Sequence, residues 1–187
     1  MKNVLMIIMT TLFTLNSLAS LDAFCESKKG NTGHYKNGDN YYIYKGPNLY
    51  KFEDGFTRLI FSKYEVRSVK EHKDRLYILT PMNVFVRDLK DFSYVTSFPT
   101  TNSQVSKKHQ TAQDMTIIGD SAYIAHGSLG LIKINLESFS IDTVHQFTLP
   151  HDPGQISTAT GIASDGNRIF TMLDNVTYNY SRDQELP

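Results

Sequence analysis

The sequence predicts an all-β fold, a β-propeller-like array of about four blades with the last blade incomplete, and three observations carry that prediction. First, a hairpin pattern recurs: Tyr42 stands three residues after Asp39, Tyr77 three after Asp74, Tyr123 three after Asp120 and Phe170 three after Asn167, each aromatic between apolar neighbours. The anchors lie 35, 46 and 47 residues apart, and a blade of four short strands takes about 40 to 50 residues. Second, a turn residue, Asn48, Asn83, Gly130 or Asn175, follows each aromatic and opens an alternating run: LYKFE, VFVRD, LIKIN and VTYNY. A tight turn followed by strict alternation is the signature of a hairpin with one buried face. Third, DLKDFSYVTSF (88–98) parallels NLESFSIDTVHQF (135–147), adding a further turn and an outer strand to two of the units.

Taken in order, residues 1–23 read as a signal peptide. Lys2 precedes an apolar run from Val4 to Leu15, and Ser17, Ala19 and Ala23 offer small residues for cleavage. The run is short for a bilayer span, so an exported chain with no membrane span after signal removal is expected. Cys25 is the only cysteine, and no disulfide framework is available. Residues 24–38 are polar and carry glycine without apolar periodicity, which predicts a leader ending in a turn and able to supply a closing strand. Residues 39–187 form the predicted β-propeller-like domain. In each unit the aromatic is expected on the inner strand, buried between adjacent blades, at Tyr42, Tyr77, Tyr123 and Phe170.

The charges balance at 19 basic and 19 acidic residues, with no basic stripe, so the sequence implies no nucleic-acid partner. Tyr and Phe fall mostly on the predicted strands, where filling the space between blades is their default role. Two connections are longer and more polar than a turn requires: 99–113 and 149–160. Long polar loops on a rigid frame are where binding groups gather. They place His109, Gln113 and Asp114 at the entry to the third unit and His151, Asp152 and Thr160 at the entry to the fourth. If the ring forms, these six residues converge near its axis as ligand-binding candidates. A histidine beside a carboxylate is suited to general-base or metal chemistry, although His151-Asp152-Pro153-Gly154 also reads as an ordinary turn. Ser164-Asp165-Gly166-Asn167 lacks the alternating oxygen ligands of a calcium loop and reads as a hairpin turn. No cofactor and no metal site is implied.

The stretch AYIAHGSLGLIKINLESFS, with TGIASDGNRIFTML behind it, resembles blades of bacterial secreted β-propellers of the LVIVD and YVTN repeat type, over about residues 39–180. The resemblance implies an extracytoplasmic propeller scaffold, with some relatives similar to quinoprotein dehydrogenases or lactonases. This chain has no Trp and one Cys, so the tryptophan docking motifs and vicinal cysteines of quinone-cofactor propellers are missing. Most such rings use six to eight blades, so blade count points to a fragment of a longer propeller, or to an oligomer if the ring is incomplete. The expected function is an exported, non-enzymatic binding or protein-interaction module for an unknown protein or small-molecule ligand. The alternative is a hydrolase or lactonase-like enzyme with a central, metal-dependent pocket.

Overall fold

The hairpin anchors form as two-residue turns. A computed structural model of the protein describes residues 31–101, 111–127, 129–149 and 152–178. Gly38-Asp39 joins β1 (Thr32–Asn37) to β2 (Asn40–Lys45), Lys73-Asp74 joins β5 (Ser68–His72) to β6 (Arg75–Leu79), and Gly119-Asp120 joins β9 (Asp114–Ile118) to β10 (Ser121–Ala125). The first residue of each turn has a φ of 52° to 55°, the primed-turn geometry whose twist matches that of paired strands. Each hairpin continues through a third and a fourth strand: β3 (Asn48–Glu53) and β4 (Phe56–Ser62), β7 (Asn83–Asp88) and β8 (Tyr94–Pro99), β11 (Leu131–Asn135) and β12 (Ile141–His145). The result is three four-stranded antiparallel meanders in chain order, followed by a three-stranded sheet of β13 (Thr148–Leu149), β14 (Asp152–Ser164) and β15 (Ile169–Tyr178).

The parallel between residues 88–98 and 135–147 is reproduced in three hydrogen bonds of each turn. The N–H groups of Leu89 and Leu136 donate to the carbonyls of Asp74 and Asp120, those of Asp88 and Asn135 to Ser93 and Ser140, and those of Lys90 and Glu137 to the side chains of Asp88 and Asn135. Phe92 and Phe139 both take a left-handed backbone, at φ 63° and 56°. Such a conformation is uncommon outside glycine, so its recurrence at matching positions marks one turn built twice.

Period-two alternation decides which face of each sheet packs where. On β6, Leu76 and Ile78 join a cluster with Tyr42, Leu49 and Phe61 of the first sheet, while Tyr77 and Leu79 join Met115, Ile124 and Ile132 of the third. On β10, Ala122 and Ile124 turn to the second sheet, while Tyr123 and Ala125 turn to Ala159 and Ile162 of the fourth. The second and third sheets are thus covered on both faces. Each fully buried aliphatic side chain at these seams contributes about 1.5–3 kcal/mol. The sheets approach one another through β1 beside β5, β5 beside β9 and β9 beside β14, the last being the middle strand of its sheet.

Four expectations are corrected. The aromatic-bearing strands β2, β6 and β10 are second in their sheets, not innermost; the strands before them, TGHYKN and SVKEH, carry too few apolar residues to announce themselves. Residues 32–37 of the expected leader are β1, opening the first sheet and closing nothing in the fourth. The expected loop at 149–160 is mostly strand, because Ser, Thr and Gly in QISTATGIAS pair along β15 through two register shifts. The VTYNY run has no turn before it, since β15 continues from Ile169 through Asn175 to Tyr178. The short first repeat also has a cause: β4 and β5 are joined by Lys63–Arg67 alone, whereas β8 and β9 are separated by Thr100–Gln113.

Tyr42 and Tyr77 are buried as expected, at 0% and 4% exposure, and Tyr123 is partly buried at the same register position. Phe170 is not buried; it is 52% exposed, pointing away from the third sheet on a face that no sheet of the described residues covers. The predicted signal peptide at 1–23, with Cys25, lies outside the described residues. No helix among the described residues is long and apolar enough to cross a membrane.

Candidate binding end of the sheets

In an antiparallel meander the connections from second to third strand, and from fourth strand to the next sheet, fall at the same end. Here that end is laced across each seam by backbone hydrogen bonds. Val66 N–H donates to Gly46 O at 2.8 Å, Ala112 N–H to Pro81 O at 2.8 Å, and Ala159 N–H to Gly127 O at 2.9 Å. The first two tie the turn between second and third strands of one sheet to the chain entering the next, and the third ties such a turn to the middle of β14, where Gly127 N–H also donates to Ala159 O at 3.2 Å. Such bonds satisfy turn carbonyls that packing would otherwise leave without water, and they fix the sheets' relative height.

Polar side chains from several sheets meet at this end. The Tyr44 hydroxyl, at the far end of β2, donates to the carbonyl of Arg67 at 3.0 Å. It lies directly over Gly33, where an added Cβ would stand 2.3 Å from the hydroxyl oxygen, so only glycine leaves room for the ring. Burial, reinforced by the charge of Asp114, pushes the Tyr44 hydroxyl up to about 12. Asp114 opens β9, and its Oδ2 accepts the Ile162 N–H of β14 at 3.2 Å while Oδ1 accepts the Met115 N–H at 2.7 Å. A third-sheet carboxylate thus holds a fourth-sheet amide, and its charge reaches a first-sheet phenol. The carboxylate can accept hydrogen bonds from a ligand's hydroxyl, amide or ammonium groups; the phenol stays protonated at neutral pH, with its proton donated to Arg67 O.

Gln113 is half-buried beside Asp114, its side-chain amide donating to Thr111 O and Oγ1 and its own N–H donating to Ala125 O. Thr160 lies within β14, on the strand whose Ile162 amide meets Asp114, and its hydroxyl donates to Met172 O at 3.4 Å. Asp152 begins β14, its backbone paired with Leu149. His109 and His151 lie outside the described residues. The structure thus groups Gln113, Asp114 and the Thr160 strand at one end, and places Thr160 on a strand, not in a loop.

Tyr44 and His126 escaped the sequence reading as members of this end. His126 is fully buried; its Nε2 bonds Thr100 Oγ1 at 3.0 Å across the seam between second and third sheets, and its Nδ1 has no partner among the described residues. Burial pulls its imidazolium down to about 4, so it is neutral at pH 7. The available signal for Tyr44 was its spacing of two from Tyr42, which puts both rings on one face. Asp120 was read as a turn residue alone, yet it takes an ion pair from Lys73 at 2.6 Å and a bond from His72 at 2.9 Å across the same seam. Those two partners hold its carboxyl below the usual range, Lys73 more strongly. Asp165, by contrast, is the hairpin turn expected, accepting the N–H groups of Asn167 and Arg168. Among the described residues no group of three or more His, Cys, Asp or Glu side chains is placed to hold a metal ion.

No protein-family model matches the chain, and no curated protein does either. Solved structures do match in fold. A computationally designed protein, Ika8, superimposes with a TM-score of 0.56 at 8% identity over 81% of this chain and 46% of its own. The extracellular domain of BT4673 from B. thetaiotaomicron, described as a hybrid two component system, superimposes with a TM-score of 0.56 at 15% identity over 81% of this chain and 20% of its own. The chain therefore spans less than half the length of either. At such identities the likeness is one of fold, an all-β arrangement of small antiparallel sheets.

Proposed function

We propose that this chain is an exported, non-enzymatic binding or protein-interaction module, built as a β-propeller-like array and taking its ligand at the laced end of the sheets. The observation that carries the reading is Asp114: a carboxylate on a first strand, its Oδ2 accepting an amide of the next sheet, at the end of the sheets where Tyr44 also lies. Sheets that approach through β1, β5, β9 and β14, each passing its apolar face to the next, suit the fan that a propeller makes around its axis. In such a fan the first strands carry the groups that a ligand at the axis would meet. The apolar run and small residues of 1–23 support export, and the resemblance to extracytoplasmic repeat propellers agrees with it.

The test sets binding against turnover. Purified chain should hydrolyse neither a γ-lactone nor an aryl ester panel above the buffer rate, with or without added calcium or zinc. A thermal-shift panel of sugars, amino acids and amines should contain a compound that stabilises the parent and leaves Asp114→Asn unmoved. Turnover that disappears in His151→Ala would replace this reading with the hydrolase or lactonase-like alternative. A stabilising compound that acts equally on Asp114→Asn would move the ligand away from this end.

A further inference from the structure

Along the chain the basic residues make no stripe, but across the first seam the fold makes one. Lys51 on β3 and Arg58 on β4 stand directly opposite each other, on the face that Leu49 turns to the second sheet. From the other side of the seam β7 sends Phe85 into the same cluster, and Arg87 follows two residues on. Four cations thereby lie in sequence over aromatic rings. The Lys51 Nζ and the Arg58 guanidinium are 5.6 and 5.4 Å from the centre of the Phe92 ring. Arg87 donates to the Phe92 carbonyl and stands 5.7 Å from the Phe61 ring. Phe61 lies 5.3 Å from Phe85, over which the Lys63 Nζ stands at 5.9 Å. Among the described residues only Lys51 of these four has a carboxylate partner, Glu53 at 3.1 Å. The other acids flanking the seam are engaged elsewhere, Glu65 with Arg67 and Asp91 with the Ser93 N–H.

A cation over a ring packs its stem on apolar surface and needs no ligand to do so. Two features here go past packing. Like charges directly opposite across a strand pair are destabilising, and Lys51 with Arg58 is such a pair. The Arg87 guanidinium is drawn between the sheets with its Nε buried and without a partner among the described residues, and burial lowers its pKa. Negative charge laid along the row offsets both costs. We infer that this seam is a second binding surface, for a linear acidic polysaccharide whose sulfate or carboxylate groups run along Lys63, Arg87, Arg58 and Lys51. The choice of partner follows from which rings are open. Single-stranded nucleic acid stacks its bases on free aromatic faces, yet Phe61, Phe85 and Phe92 are 4%, 8% and 5% exposed beneath their cations. Of the rings in the row only Tyr64 offers a face: it is 45% exposed at the Lys63 end and stacks on Phe85 at 5.4 Å, so the apolar side of a sugar can lie on it. A single row of cations also suits one flexible chain better than the two backbones of a duplex. The inference rests on this seam alone, since Asp114 and the laced end are no part of it.

The experiment is fluorescence anisotropy at low salt, with a labelled heparin octasaccharide as the sulfated probe and a labelled octagalacturonate as the carboxylated one. At least one should bind the full chain, more weakly as salt is added, and whichever binds names the acid group. The double variant Arg58→Gln, Lys63→Gln should keep the parent's melting point, because both side chains are exposed, and should weaken binding about tenfold or more. Should it melt early, Arg58→Lys with Lys63→Arg keeps the charges and should bind as the parent does. Removing two cations elsewhere, by Lys36→Gln with Lys133→Gln, should leave binding unchanged, as should Asp114→Asn. The proposal is overturned if neither glycan binds, or if the charge-keeping variant loses binding. It is equally overturned if the distant pair of substitutions weakens binding as much, which would mark attraction by net charge, or if Asp114→Asn abolishes it, which would move the glycan to the laced end. Oligothymidylate or polyglutamate of matched charge binding as tightly would replace the glycan with a nucleic acid or an acidic peptide.

Discussion

The seam between the first and second sheets and the seam between the second and third are built from the same strand positions, each over an apolar cluster, but differ in the polar chemistry that crosses them. In the first, tyrosines reach across to polar groups: the Tyr42 hydroxyl donates to Glu71 Oε1 at 2.6 Å, the Tyr35 hydroxyl accepts the Glu71 N–H at 3.2 Å, and Asn37 donates to the other carboxylate oxygen at 2.8 Å. Burial, with the Glu71 hydrogen bond next, raises the Tyr42 hydroxyl's pKa strongly, so it remains a donor. In the second seam the middle is aliphatic, with Leu79, Val84, Val86, Ile124, Ile132 and Ile134 buried together. Its polar links lie at the two ends, His126 with Thr100 at one and Asp120 with Lys73 at the other. The difference separates two jobs. Aliphatic burial supplies stability without direction, whereas a carboxylate shared by two side chains and flanked by a third fixes how one sheet is turned on its neighbour.

Substitutions can break that contrast in order of size. Ile132→Ala, in the centre of the aliphatic seam, should cost about 2–5 kcal/mol in denaturant melts, since a buried methyl-rich side chain leaves a cavity. Lowering the pH probes the same seam through His126. Its folded-state value of about 4 lies below the ordinary 6.5, so the neutral form belongs to the fold. The associated stability is whole above pH 6.5 and is lost as the pH falls towards 4, by about 3 kcal/mol. His126→Gln should flatten that part of the profile, and an unchanged slope would reject the assignment. Glu71→Ala should cost about 1–3 kcal/mol, because the Tyr42 hydroxyl then lies buried without its acceptor. Tyr42→Phe, which leaves a half-exposed carboxylate that water can reach, should cost less. Smallest is Asp120→Asn, whose surface pair with Lys73 is screened by solvent; the change in melting point should be slight and vanish in high salt.

Much of this contrast was legible in the sequence, and the rest had physical reasons to be hidden. The anchor residues, the aromatic three places on, and the paired turns at 88–98 and 135–147 are local chemistry, and local chemistry survives in a single sequence. Tyr42 and Tyr77 took the buried places their register promised. The first strands were missed because their work is done by backbone and polar groups: Ser68, Glu71 and Asp114 sit where sheets meet, which removes the apolar alternation that announces a strand. The strand at 152–164 was missed for a related reason, as Thr and Gly reveal their pairing only once β15 is beside them. Phe170 followed the pattern and still ended exposed, because burial belongs to the neighbour that covers a residue and not to the residue itself. Of the candidate site, Gln113 and Asp114 could be found from their position before a predicted strand. Tyr44 could not, since its role depends on Gly33 across a hairpin and on Arg67 in the next sheet.

The fourth strands carry one more consequence. The pairing of β7 with β8 slips between Val86 and Arg87, and that of β11 with β12 slips at the matching step, between Lys133 and Ile134; β3 and β4 slip near the start of β3. A bulge at an edge strand bends and over-twists it, which spoils the row of free amides and carbonyls as a template for another strand. Widening sideways, strand by strand, is thereby discouraged, while lengthening sheet by sheet stays open. A gene encoding such a chain gains a unit by duplicating one segment from hairpin to hairpin, and the new unit meets its neighbours only through faces that already know how to fit.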